Sequence, residues 1–271
     1  MTDTGGLRFT KGHGTENDFV LVADLDGAHD VTAAQVRRLT DRRAGIGADG
    51  VIRVVPTEAA AEQDVRDQGA QARWFMDYRN ADGSAAEMCG NGTRVFAAYL
   101  RREGLETADE FAIATRGGVK VVRFEGDLIA VNLGDWRIVD ADGTRDKGFD
   151  AMVKVHGHDP MPGLSLDLGN PHTVVALPDS ADLASLDLTR IPEVHPPAPN
   201  GTNVEFVRPI SPGHIAMRVH EPGLGDTRSC GSGAAAAPLA TRRSPGAEHA
   251  PAAWPSGVHG GPRLAPSAAR T

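Results

Sequence analysis

Cysteine is scarce. The 271-residue chain holds two, Cys89 and Cys230, 141 positions apart. Lysine occurs only at positions 11, 120, 147 and 154, and aromatic residues make up 5%. No apolar run approaches the roughly 20 residues that a membrane-spanning helix needs, so no membrane partner is expected. The net charge of -8 is spread along the chain and argues against nucleic acid as a partner. The opening stretch MTDTGGLRFTKGHG has neither a basic start nor an apolar core. It does not read as a secretory signal, and a cytoplasmic setting is the expectation. In that setting a structural disulfide is not expected. The spacing offers no C-x-x-C and no H-x-x-x-H, so no metal site is expected either.

What is there is a matched pair. Cys89 opens Cys89-Gly90-Asn91-Gly92, and Cys230 opens Cys230-Gly231-Ser232-Gly233. After Cys89, apolar residues at Val95, Phe96, Tyr99 and Leu100 keep helical spacing. After Cys230, the run GSGAAAA is a strong helix former as far as Pro238, where the helix is expected to break. Each cysteine is therefore placed just before a helix N-terminus. The unpaired backbone N–H groups there attract anions, and the dipole favours thiolate. Glycine lets the backbone turn tightly and approach a ligand. Upstream, Asn80 and Glu221 each precede their cysteine by nine residues. The spacing reads as an internal duplication with diverged ligands.

Many short apolar or alternating runs, among them GVIRVVP, GVKVVRF, TNVEFV and HIAMRVHE, read as strands, with few helices between them. That pattern predicts an α+β fold rather than a doubly wound sheet. Segment 32–42 reads as a helix capped by Thr32. The expected organisation is a half carrying Cys89 (1–133), a half carrying Cys230 (134–237), and a Pro/Gly/Ala-rich tail (238–271) with the composition of a disordered segment. Gly45 to Gly50 spell a literal G-x-G-x-x-G. A helix-like segment precedes it and a strand-like one follows, the reverse of a dinucleotide site.

The blocks GHGTENDFV, DRRAGIGADGV, NADGSAAEMCGNGTR, LGNPHTVV, GTNVEFV and DTRSCGSG, in this order, resemble the diaminopimelate epimerase family. The resemblance implies two similar halves, each a mixed β-sheet curled around a central helix, with the site in the cleft between them. It implies a homodimer and an isomerase that works on a small amino-acid substrate without pyridoxal phosphate or any other cofactor. Diaminopimelate would be interconverted between its LL and meso forms for lysine and peptidoglycan precursors. Cys89 and Cys230 would be the two catalytic groups, one a thiolate base and the other a thiol acid on opposite faces of Cα. Gly90, Asn91, Gly231 and Ser232 would hold the α-carboxylate. Asn17, Asn80, Asn170 and Asn203 match pocket asparagines, and His172 and Glu221 match residues that assist at the reacting centre or bind substrate amines.

Two departures stand against this pattern. Where the family has Arg after the Glu of the second block, a ligand for the distal carboxylate, this chain has Pro222. The tail after Ala237 does not resemble the family's ending. The alternatives are an epimerase or racemase for another amino acid, suggested by Pro222, and a catalytically impaired homologue, suggested by the tail.

Overall fold

The structure is a computed structural model that describes residues 7–199, 201–211, 214–223, 225–227, 230–241, 262–264 and 268–269. Two compact units divide the chain, with the boundary between Asn132 and Leu133.

The first unit contains β1 (Arg8–Gly14), β2 (Asn17–Ala23), β3 (Gly50–Pro56), β4 (Trp74–Asn80), β5 (Glu110–Ala114), β6 (Lys120–Glu125) and β7 (Leu128–Asn132). Its helices are α1 (Ala33–Thr40), the single turn α2 (Gln63–Arg66) and α3 (Gly90–Arg102). The predicted cap of α1 forms: Thr32 accepts from the Gln35 amide, and Gln35 reaches back to the Thr32 amide, closing a capping box. α3 packs against β1, β2, β3, β4, β6 and β7. The sheet thus curls round it, and Val95, Phe96 and Leu100 are 0% exposed. Burying each such side chain contributes about 1.5–3 kcal/mol.

The second unit contains β8 (Arg137–Ile138), β9 (Ala151–Lys154), β10 (Met161–Asp167), β11 (Pro171–Ala176), β12 (Glu193–His195), β13 (Asn203–Ser211), β14 (His214–Glu221) and β15 (Gly225–Thr227). Its helices are the short α4 (Thr144–Lys147) and α5 (Gly231–Thr241). Ala236, Ala237 and Ala240 seat α5 against Leu164, Leu166, Leu168, Val174 and Val207. The other face of the sheet buries Val153, Val175, Val204 and Phe206 beneath Leu183, Leu186 and Leu188.

The duplication is visible in strand pairing. In the first unit β1 and β2 are antiparallel, β2 and β3 parallel, and β3 and β4 antiparallel. In the second unit β10 and β11, β11 and β13, and β13 and β14 repeat that sequence of directions. Phe19 is paired with Gly50, and His172 with Asn203. This register aligns the halves: Asn17 with Asn170, Phe19 with His172, Gly50 with Asn203, and Ile52 with Glu205. The fold is α+β, two similar halves each with a mixed sheet and a central helix.

Two expectations are corrected. Pro238 does not end its helix, because α5 continues through it to Thr241. Proline removes one backbone bond there, and the apolar contacts of Ala236, Ala237 and Ala240 hold the helix against that loss. The tail is not without structure throughout. β16 (Pro262–Leu264) and β17 (Ala268–Ala269) both pair antiparallel with β1, so this part of the tail returns to the first unit. Residues 242–261 lie outside the described residues. The G-x-G-x-x-G stretch follows α1 and leads into β3, the order opposite to a dinucleotide loop.

Candidate active site

In the first unit, Cys89 caps α3 in extended conformation (φ -142°, ψ 114°), as the Gly-rich sequence predicts. Its Sγ accepts from the Gly92 amide at 3.3 Å. The thiol donates to Asn17 Oδ1 at 3.6 Å, and Asn91 Nδ2 donates to the same oxygen at 3.4 Å. Asn17 sits at the start of β2 with its amide orientation fixed, because its Nδ2 donates to Asp49 Oδ2 at 2.7 Å. Arg42 holds Asp49 at 2.7 Å and Asp18 at 2.8 Å, and Lys11 holds Asp18 at 2.7 Å. Burial would raise the Asp18 carboxyl, but bonds from Arg42 and Lys11 outweigh it and hold the group well below the usual carboxylate range.

Arg94 lies one turn into α3. The side chain is 1% exposed. It donates to Asn91 Oδ1 at 2.6 Å, to the Gly90 carbonyl at 3.3 Å and to Thr15 Oγ1 at 3.3 Å. The sequence reading passed over it. The signal lay in the duplication: position five after Cys89 is Arg94, and position five after Cys230 is Ala235.

The second unit repeats the plan with different chemistry. Cys230 Sγ accepts from the Gly233 amide at 3.3 Å and lies 3.5 Å from Ser232 Oγ. Asn170 Nδ2 donates to Ser232 Oγ at 3.2 Å. Asn170 Oδ1 lies 3.0 Å from His172 Nε2, and His172 Nδ1 lies 2.7 Å from Glu205 Oε1. His172 and Glu205 side chains are both wholly buried. Glu205 presses on the helix start: a Cβ on Gly233 would meet its Oε1 at 2.6 Å, which is why that position carries glycine. In the first unit the same place is apolar, with Ile52 and Phe19 against Gly92. Glu205 was also missed from sequence, although strand alternation puts it on the face of Asn203.

Glu221 ends β14 and accepts from the Thr227 hydroxyl. Burial raises its carboxyl above the usual range, and Glu205 adds to the rise. Glu221 lies close enough to the Cys230 thiol for each group to act on the other's ionisation. Burial, then Glu221 and Glu205, push that thiol far above the ordinary thiol range. For Cys230 the expected depression by the helix end is thus reversed, because two carboxylates and desolvation outweigh the dipole.

Two further predicted residues also make hydrogen bonds within their own units. Asn80 ends β4, but its Nδ2 donates to Ser84 Oγ at 3.0 Å within its own turn. Asn203 donates to the Pro171 carbonyl at 3.0 Å and so braces the start of β11. Pro222 is exposed in the turn after β14, its ring 3.6 Å from where a Cβ on Gly201 would stand. Asp24, Asp26 and His29 bring ligand-type atoms within 4.8 Å of one another. Asp24 already pairs with buried Arg53 at 2.6 Å and accepts from the Ala28 and His29 amides.

The family model described as diaminopimelate epimerase matches residues 9–139 and 164–257. The chain belongs to the diaminopimelate epimerase family. It is 47% identical over 264 residues to the diaminopimelate epimerase of Streptomyces coelicolor, covering 94% of this chain and 86% of that one. It is 48% identical over 253 residues to that of Rhodococcus opacus, covering 89% and 84%. A solved hydroxyproline epimerase from Agrobacterium vitis shares the fold at a TM-score of 0.59 and 14% identity, over 90% of this chain and 78% of that one.

Proposed function

We propose that the protein interconverts LL- and meso-diaminopimelate by moving a proton at Cα, in the supply of lysine and peptidoglycan precursors. The observation that carries this reading is the matched pair of thiol-capped helices within the family's sequence blocks. The Cα–H of an amino acid is a feeble acid. A single base tends to return the proton to the face it came from. A thiolate on one face and a thiol on the other invert the centre instead. Cys230, held as thiol by burial and its carboxylate neighbours, is the proton donor of the resting protein. Cys89 is the base.

The other residues take supporting roles. Gly92 and Gly233 amides serve the thiols, and those of Thr93 and Ala234 close the first helical turns. Following the family resemblance, the amides of Gly90, Asn91, Gly231 and Ser232 are assigned to the α-carboxylate, where they also offset carbanion charge. Asn17 and Asn170 orient the two helix starts. His172 and Glu221 are assigned to the substrate amine and the reacting centre, and Asn80 and Asn203 to its polar rim. No cofactor enters the scheme. The working protein is taken as a cytoplasmic homodimer.

Pro222 favours a second reading, an epimerase for an amino acid without a distal carboxylate, because the exposed ring offers neither charge nor N–H. Both readings are tested by Cα–H exchange in heavy water with diaminopimelate and a panel of other amino acids. Cys89→Ala and Cys230→Ala each abolish inversion if the assignment holds. Near-normal inversion by either variant overturns it.

A further inference from the structure

The two halves match in backbone but not in charge. Beside Cys89 lies Arg94, wholly enclosed, with hydrogen bonds only to neutral oxygens among the described residues and an Nε that has no partner there. The equivalent position in the second half is Ala235. Beside Cys230 lie the carboxyl groups of Glu205 and Glu221, with His172 bonded to Glu205. The first-half equivalents of His172 and Glu205 are Phe19 and Ile52, both apolar and both against Gly92. A buried cation without an anionic partner is costly, because desolvation is not offset. That cost is met if an anion forms close by. Cys89 is the group whose negative charge would act on Arg94.

We propose that Arg94 is the positioning and countercharge residue for Cys89, so that the resting protein holds thiolate at Cys89 and thiol at Cys230. This deepens the two-thiol reading and rests on it. In the forward half-reaction the Cα proton passes to Cys89 Sγ, its bonding pair stays on Cα, and the Cys230 proton then forms the new Cα–H bond. The turnover leaves Cys89 as thiol and Cys230 as thiolate. A proton must next leave Cys89 for solvent and one must reach Cys230, which returns the pair to its rest state. Arg94 and the carboxylates of the second half drive that return in one direction. Arg94 also acts through Asn91: the 2.6 Å bond to Oδ1 turns Asn91 Nδ2 towards Asn17 Oδ1, the oxygen that meets Cys89.

Among the described residues, the following groups face Arg94 and the residues bonded to it. The β1–β2 turn brings Thr15 onto Arg94, with the exposed Glu16 next to it in sequence. The loop before β3 brings Asp49, linked through Asn17 and neutralised by Arg42. β2, β3 and β4 present Phe19, Ile52 and Met76.

The test is alkylation by iodoacetamide across pH, with each cysteine peptide quantified by mass spectrometry, in wild type, Arg94→Gln and Arg94→Lys. Gln keeps an N–H donor towards Asn91 but no charge, so the Cys89 midpoint rises by about one pH unit or more. Lys keeps the charge, and the midpoint stays within about half a unit of wild type. Cys230 alkylation is unchanged in both. A folded Arg94→Gln protein with a wild-type Cys89 midpoint overturns the proposal. If Arg94→Gln does not fold, a rise of about one unit in Arg94→Lys overturns it, and a wild-type midpoint upholds it. Alkylation needs no turnover, so this result stands apart from the failure of the two-thiol reading, which shows as inversion by Cys89→Ala.

Discussion

Gly92 and Gly233 are the third residues of their cysteine-capped helices, and replacing each by alanine separates fold from chemistry. In both, alanine gains about 0.8–1 kcal/mol of helix propensity over glycine. At position 92 the new Cβ meets the tip of Ile52 at 3.3 Å, Cys89 Cβ at 3.4 Å and Phe19 at 3.5 Å, which small shifts relieve. At position 233 it meets Glu205 Oε1 at 2.6 Å and Cγ at 3.2 Å. Glu205 has nowhere to go: it is 0% exposed and tied to His172 at 2.7 Å. Overpacking costs about 1–3 kcal/mol. Loosening a charged hydrogen bond costs about 1.5–3 more. The net loss for Gly233→Ala is therefore about 2–5 kcal/mol, against a change near zero or a small gain for Gly92→Ala. A displacement of about 1 Å at the reacting groups lowers turnover by about a hundredfold. Thermal unfolding and a coupled epimerase assay read both quantities. If Gly233→Ala matches Gly92→Ala in melting temperature and turnover, the role given to Glu205 against the helix start is wrong.

Three further outcomes are expected. Because burial, and after it the charge of Glu221 and Glu205, raises the Cys230 thiol, it stays protonated at neutral pH and its thiolate forms only well above the ordinary range. Glu221→Gln removes one of those charges, so Cys230 alkylation at pH 8 becomes faster, and an unchanged or slower rate refutes the electrostatic account. Pro222→Arg restores a cation where the family has one, and binding of diaminopimelate tightens about ten- to a hundredfold by one charged hydrogen bond; an unchanged KM removes Pro222 as the specificity determinant. Pro238→Ala returns a backbone donor to α5, and the second unit gains about 1–3 kcal/mol in denaturant unfolding, short of the full interior penalty because the site lies one turn from the helix end.

The parts that were legible in the sequence are those written in local pattern. Continuous apolar runs gave β3 and the first half of β13, which are buried residue after residue, and alternation gave β6, whose burial follows a strand's period of two. Thr32 announced α1 as its cap, and the structure adds Gln35 reaching back to the Thr32 amide. The cysteine blocks announced α3 and α5 because glycine and a small polar residue are what a crowded helix start tolerates. The parts that were not legible depend on distant neighbours. Pro262–Leu264 has no strand pattern of its own and is a strand only because β1 offers an open edge. Pro238 looks like a stop until the alanines around it are seen packed on β10, β11 and β13.

Arg94 and Glu205 went unread for a more general reason. A charged residue in a helix or strand is normally taken as solvent-facing, and only the register reveals that both point inward. Comparison of the halves makes them conspicuous. The duplication preserves what the backbone of each half must do: end a strand, turn, present a thiol and start a helix. It does not preserve the charge beside the thiol. A reaction that exchanges mirror-related configurations at one carbon has no need of equal thiols, only of one proton between two. If both sites carried Arg94-like cations, both sulfurs would ionise and no acid would remain. If both carried buried carboxylates, neither would ionise and no base would form. A cation in one half and carboxylates in the other fix the count at one proton at rest. Transplanting the asymmetry is then informative. Ala235→Arg places a second guanidinium five residues after Cys230, where Glu205 and Glu221 lie near the thiol. That variant should lower the Cys230 alkylation midpoint while leaving Cys89 as it was, and its epimerase activity should fall because the resting acid is lost. Retained activity together with a lowered midpoint would mean that the proton count does not govern turnover.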